Sequence, residues 1–181
     1  VVGGPTIVVR TATIDVPGST TEARRSDHPS ITIESLAEWP LVSPNVEILH
    51  VGDRRLATAV LFPHDHDGTP LPVLLDPYGG PHALRVTQSH NAYLTSQWFA
   101  DQGFAVIVTD GRGTPGRGSE WERAVHGDLA TTPLDDQVEA LHAVAEQVGG
   151  LDLSRVAIRG WSFGGYLAAL AVLRRPDVFH A

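Results

Sequence analysis

Apolar and polar positions change their period several times along this chain, and each change marks an element. Thr6-Ile7-Val8-Val9-Arg10-Thr11-Ala12-Thr13-Ile14-Asp15 is a β-type run that Pro17-Gly18 ends, and after a polar stretch Ile31-Thr32-Ile33-Glu34 reads as a second short strand. Two strands do not make a stable unit alone. Residues 1–35 are therefore expected to belong to a larger β structure, mostly outside this chain, with a linker marked by Pro40 and Pro44. From Val46 the pattern becomes α/β. Val46 to Val51 and Leu56 to Phe62 predict a strand pair around Gly52-Asp53, and Leu71 to Leu75 and Phe104 to Val108 predict buried strands. Ala92 to Gln102 predicts a helix closed by Gly103. The clearest helix carries Leu134, Val138, Leu141, Ala145 and Val148 on one face. Thr132 is its expected N-cap and Pro133 its first residue, Asp135 and Asp136 complement its dipole, and Gly149-Gly150 ends it. A strand at 155–159 and a last helix from Tyr166 to Arg174 complete the order β-β-β-α-β-α-β-α. That order calls for a largely parallel sheet covered by helices.

Composition narrows the class. The chain has 181 residues, of which 42% are hydrophobic and 19% charged, as in an ordinary soluble domain. A net charge of −8, with no basic run beyond Arg-Arg pairs, argues against a nucleic-acid or anionic-membrane partner. No apolar stretch nears the ~18 residues needed to span a bilayer. Val1-Val2-Gly3-Gly4-Pro5 is neither a signal peptide nor a translation start, and the absence of Met suggests a piece of a longer chain. With no Cys, thiolate chemistry and disulfides are excluded. The expected compartment is the cytoplasm.

The chemistry concentrates at Gly160-Trp161-Ser162-Phe163-Gly164-Gly165, between the strand at 155–159 and the last helix. A serine flanked by glycines at a strand-to-helix turn is how a hydrolase exposes a nucleophile. The rival reading is a tight turn with an ordinary serine. Asp76-Pro77-Tyr78-Gly79-Gly80-Pro81-His82 follows the strand at 71–75 and should meet the serine turn at the sheet's C-terminal edge. There Tyr78 can donate its hydroxyl to a developing oxyanion beside the Phe163 backbone N–H, or it can be a packed tyrosine in a Gly/Pro turn. Arg112, in Asp110-Gly111-Arg112-Gly113, is read as the partner of a neighbouring acid ahead of a substrate-carboxylate binder. His64-Asp65-His66-Asp67 has metal-ligand residue types but falls on a predicted solvent turn, so no metal site is assigned. His126 and His142 carry no spacing signal. No cofactor is called for.

Taken together, Leu74-Leu75-Asp76-Pro77-Tyr78-Gly79-Gly80-Pro81, Asp110-Gly111-Arg112-Gly113 with Gly116-Arg117-Gly118, and Gly160-Trp161-Ser162-Phe163-Gly164-Gly165-Tyr166 resemble the prolyl oligopeptidase family of serine peptidases, in the dipeptidyl peptidase IV branch. The resemblance implies the N-terminal part of an α/β-hydrolase fold over residues 39–181, preceded over residues 1–38 by the end of a β-propeller. It implies Ser162 as nucleophile, with the Tyr78 hydroxyl and Phe163 N–H as oxyanion hole. It implies a peptide substrate from which N-terminal dipeptides are released after Pro or Ala, the free amine being held by glutamates in the propeller. Phe163 stands where the branch often has Tyr, which leaves the backbone N–H unchanged. The family's Asp and His follow the serine and are expected beyond Ala181. The 181 residues alone are therefore expected to be inactive, the partners being the remainder of the hydrolase domain and propeller, with a homodimer of the full-length protein possible. The alternatives are an acylaminoacyl peptidase or carboxylesterase of the same fold, and a non-catalytic fragment whose last strand presents an unpaired edge.

Overall fold

The computed structural model describes residues 7–9, 31–33 and 40–181. The chain divides into two compact units, a smaller one within Gly3–Leu41 and a larger one holding Val42–Ala181. In the smaller, β1 (Ile7–Val9) and β2 (Ile31–Ile33) pair antiparallel, with Ile7 opposite Ile33. Thr6, residues 10–15, Pro17-Gly18, Glu34 and the 38/39 boundary lie outside the described residues.

The larger unit is built on a five-stranded sheet in the order β3-β4-β6-β5-β7. Its strands are β3 (Val46–Val51), β4 (Leu56–Leu61), β5 (Leu71–Leu75), β6 (Ala105–Asp110) and β7 (Leu151–Ile158). The sheet is mixed, which corrects the largely parallel expectation. β3 pairs antiparallel with β4 and β4 with β6, whereas β5 runs parallel to both β6 and β7. The Gly52-Asp53 turn makes β3 and β4 a local hairpin, and such hairpins are antiparallel by construction. β7 starts earlier than predicted because Leu71 and Pro72 already pair with Leu151 and Asp152, ahead of a bulge between Pro72 and Val73.

Alternation along the strands sends side chains to two layers. One face carries Val60, Val73, Leu75, Ile107, Val156 and Ile158. It is covered by α3 (Thr131–Val148) and α4 (Phe163–Arg174). The opposite face carries Ala59, Leu61, Leu74, Val106 and Val108, under Tyr93 and Ala100. These last two come from a 3-10 turn, His90–Tyr93, and from α1 (Leu94–Ala100). The single helix expected over 92–102 is thus a 3-10 turn followed by a shorter α-helix. A short α2 (Ser119–Arg123) was not foreseen, since five residues give no readable period.

Leu134, Val138 and Leu141 of α3 are buried as its periodicity demands. Its start differs from expectation. The residue flanking the first turn is Ala130, and the Asp128 carboxylate accepts the N–H groups of Ala130 and Thr131, so Asp128 does the work assigned to Thr132. Asp136 is not a dipole partner at the surface. It is fully buried and takes hydrogen bonds from Arg112 Nε at 3.0 Å and Nη2 at 2.6 Å, as well as from the Arg112 backbone N–H. This is the acid partner expected for Arg112, and its fork geometry suits a desolvated pair.

β7 is the edge strand of the sheet, as expected, but the end of its outer side next to Ser162 is partly paired. The His180 N–H donates to the Val156 carbonyl, and the Ile158 N–H donates to the Ala181 carbonyl. Those two backbone groups of β7 are therefore already paired.

Candidate active site

The parallel strands β5, β6 and β7 end on one edge, and their following loops bring the predicted residues together. The Asp76 N–H donates to the Ile107 carbonyl and the Arg159 N–H to the Leu75 carbonyl, so the ladder continues just past the strand ends. Ser162 then sits at φ 56° and ψ −118°, immediately before α4. That is backbone which a residue with a Cβ rarely adopts, and strain of this kind is characteristic of a nucleophile turn.

The flanking glycines are forced by contact. A Cβ on Gly160 would overlap the Gly164 carbonyl group, and a Cβ on Gly164 would overlap the Pro77 carbonyl oxygen. The second contact matters most, because it seats the loop after β5 directly on the start of α4. Gly80 fits under the Phe163 ring, where a Cβ would lie 2.5 Å from two ring carbons. The Tyr78 and Phe163 rings stand 5.9 Å apart, and Phe163 and Tyr166 5.5 Å apart. Ser162 is exposed, Tyr78 and Phe163 are half-buried, and Trp161 is 83% exposed. All three predicted site residues therefore share one corner of the molecule.

Reading the sequence assigned no role to Asp76, Arg85, Asp110 or Arg159, which form the floor of this corner. Asp76 is 2% exposed, and its carboxylate accepts from Arg159 Nη1 at 3.0 Å and from Arg85 Nη2 and Ser96 Oγ at 3.1 Å. Asp110 is equally buried and accepts the backbone N–H groups of Arg85 and Val86. Burial pushes the Asp110 carboxyl above its ordinary value, against the pull of those amides. The available signal was an aspartate ending each of two apolar strands, since such a position is buried unless the strand frays.

The residues with metal-ligand chemistry behave differently. His66 stacks on Phe62 at 4.5 Å, and Asp67 accepts the N–H and hydroxyl of Thr69. His64 lies between two acceptors, Asp101 Oδ1 at 2.9 Å from Nδ1 and the Ser43 carbonyl at 2.8 Å from Nε2. Only the doubly protonated ring donates to both. The Asp101 hydrogen bond raises the His64 pKa above its ordinary value. Burial pushes the Asp101 carboxyl up, but hydrogen bonds from His64 and Gln97 outweigh it and hold the group below its ordinary value. The raised histidine contributes stability that is full below its unfolded value and lost as pH rises through the folded one. The lowered aspartate contributes above its unfolded value and loses this as pH falls through the folded one. As pH rises past the ordinary imidazole value of about 6.5 and through the raised His64 value, hydrogen exchange at Ser43 and Asn45 is thus expected to accelerate beyond its intrinsic rise. A His64→Asn variant should lose that extra dependence; an unchanged profile would count against the clasp.

The family model described as the prolyl oligopeptidase family matches residues 90–181. The chain belongs to the prolyl oligopeptidase family. Within it, the similar proteins support the dipeptidyl peptidase IV-like branch, whose members are serine peptidases. Dipeptidyl peptidase 8 of Mus musculus is 39% identical over 120 residues, covering 65% of this chain and 14% of the relative. Prolyl endopeptidase FAP of Bos taurus is 29% identical over 172 residues, covering 91% of this chain and 22% of the relative. The crystal structure of Porphyromonas gingivalis dipeptidyl peptidase 4 superimposes with a TM-score of 0.66 at 30% identity, over 75% of this chain and 19% of that one. This chain of the prolyl oligopeptidase family thus spans a small part of the length of each relative. Its mixed five-stranded unit is consistent with part of an α/β-hydrolase fold. Among the described residues no helix is long and apolar enough to cross a membrane.

Proposed function

We propose that this chain carries the nucleophile and oxyanion hole of a serine exopeptidase that releases N-terminal dipeptides, X-Pro or X-Ala, from peptides. The observation that carries the reading is the strained Ser162 backbone held between Gly160 and Gly164, with the Tyr78 loop seated on it. In the proposed reaction Ser162 Oγ attacks the scissile carbonyl carbon and loses its proton to a histidine base. The oxyanion that forms is stabilised by the Tyr78 hydroxyl and the Phe163 N–H. Collapse expels the peptide amine, which takes the proton from the imidazolium, and water then releases the dipeptide from the acyl-enzyme. The rings of Tyr78, Phe163 and Tyr166 beside Ser162 suit a small apolar residue before the cleaved bond. The dipeptidyl peptidase names of two similar proteins support the exopeptidase reading.

The same proposal takes residues 1–38 as the end of a β-propeller and 39–181 as hydrolase domain, in a cytoplasmic protein that can form a homodimer. The test uses the full-length protein with a fluorophosphonate probe and two chromogenic substrates. Ser162 should be the labelled residue, and a Gly-Pro substrate with a free amine should be cleaved far faster than an acetyl-Ala one. Faster cleavage of acetyl-Ala would transfer the protein to the acylaminoacyl peptidases. Absence of labelling would remove Ser162 as nucleophile.

A further inference from the structure

We infer that Asp76 and Arg159 are positioning residues, which hold the Tyr78 loop in register with the Ser162 turn. The inference rests on the proposed roles of Tyr78 and Ser162. Asp76 immediately precedes Pro77-Tyr78, and Arg159 immediately precedes Gly160-Trp161-Ser162. Their side chains meet at 3.0 Å between Arg159 Nη1 and Asp76 Oδ1. The backbone ladder fixes the strands themselves, pairing Leu75 with Ile158 and the Arg159 N–H with the Leu75 carbonyl. Beyond that point the Asp76–Arg159 bond is, among the described residues, the one hydrogen bond between the two loops. Ordinary sheet pairing therefore stops short of the reacting groups, and this ion pair takes over where it stops.

The pair is built to be stiff. Asp76 is 2% exposed, and its second oxygen is occupied by Arg85 Nη2 and Ser96 Oγ, so the carboxylate has little freedom to rotate. The Arg159 guanidinium lies over the Phe99 ring, 4.6 Å from its centroid, which limits its own excursions. Arg85 is tethered in turn, because its N–H donates to Asp110. Two buried carboxylates and two guanidiniums thus form one network across the ends of β5, β6 and β7. A fold needing only to be stable would gain as much from apolar residues at these positions. What a directional network adds is a defined geometry, and an oxyanion donor loses its effect when displaced by a fraction of an ångström.

A double-mutant cycle in the full-length protein tests this. Tyr78→Phe should lower kcat about a hundredfold by removing the donor. Arg159→Leu should lower kcat about tenfold with KM within about twofold, and Arg159→Lys, which keeps the charge without the planar group that lies over Phe99, should recover only part of the loss. In the Tyr78→Phe background Arg159→Leu should cost less than about twofold, because the group it positions is gone. An equal cost in both backgrounds, or a loss confined to KM, overturns the inference. Should Arg159→Leu fail to fold, Arg159→Lys and Ser96→Ala enter the same cycle. For these, a kcat loss that vanishes with Tyr78→Phe supports positioning, whereas no loss or a persistent loss overturns it. Failure of the functional reading looks different: Ser162 does not label, or Tyr78→Phe keeps its full rate. A protein in which both behave as proposed but the cycle is additive retains that reading and loses only the positioning role.

Discussion

Ser162→Ala in the full-length protein is expected to remove peptide hydrolysis by about five to six orders of magnitude, the loss typical of deleting a serine nucleophile. Fluorophosphonate labelling should vanish with it. The more informative comparison is with Ser162→Gly. Both variants lack the hydroxyl and should be equally inactive. Their stabilities should differ, because the backbone at φ 56° and ψ −118° is strained for any residue with a Cβ and free for glycine. Relief of about 1–3 kcal/mol is partly cancelled by the extra unfolded-state entropy of glycine, leaving about 1 kcal/mol. That corresponds to a rise of about 2–4 °C in thermal midpoint for Ser162→Gly, with Ser162→Ala unchanged. Equal midpoints for the two variants would mean that the turn stores no strain. A dead but more stable glycine variant would show that this turn gives up stability to present its hydroxyl.

Gly164→Ala is expected to have the largest effect on stability, and Gly165→Ala next to it very little. Both residues lie in α4, where alanine is favoured over glycine by about 1 kcal/mol. At Gly165 the new Cβ would be 3.3 Å from the Gly160 carbonyl oxygen, tight enough to absorb that gain and leave the variant near neutral. At Gly164 it would overlap the Pro77 carbonyl oxygen, a backbone atom that cannot swing aside as a side-chain tip would. The cost is about 3 kcal/mol or more, a fall of about 6–12 °C in thermal midpoint. Scanning calorimetry of the two variants reads the contrast directly. Similar midpoints would show that the Tyr78 loop rests only loosely on α4. Where Gly164→Ala does fold, its residual activity should fall as well, since relief of the overlap moves the loop that carries Tyr78.

Local signals in the sequence were read well, and long-range pairings were not. The apolar runs Leu71–Leu75 and Phe104–Val108 became β5 and, one residue later at its start and two at its end, β6, and the spacing of Leu134, Val138 and Leu141 became the buried face of α3. The two motif loops announced themselves through glycine and proline, whose steric rules act within a few residues. The β3–β4 pair is announced by its local Gly52-Asp53 turn, whereas the antiparallel pairing of β4 with β6 is not, because it joins strands far apart in sequence. Asp136 was read as a dipole partner because its position in the helix was visible and Arg112, on another element, was not. The Asp76–Arg159 bond joins residues 83 apart in sequence, and no periodicity spans that distance. Asp128 shows a smaller failure of the same kind: the residue that satisfies the first amides of α3 lies in the preceding turn, where Thr132 looked the better candidate.

The order β3-β4-β6-β5-β7 also has a consequence for how the chain is made. β5 is translated before β6 yet lies beyond it in the sheet, so it has no neighbour to join until Ala105–Asp110 has left the ribosome. Leu71, Val73, Leu74 and Leu75 wait meanwhile as an unpaired sticky segment, the kind that chaperones recognise and that aggregates when synthesis is fast. The β3–β4 hairpin, being local, does not wait. Pulse-labelled hydrogen exchange should accordingly find amides in Val46–Leu61 protected early and those of Leu71–Leu75 late. The segment that carries Tyr78 would then be among the last parts of the larger unit to take its place.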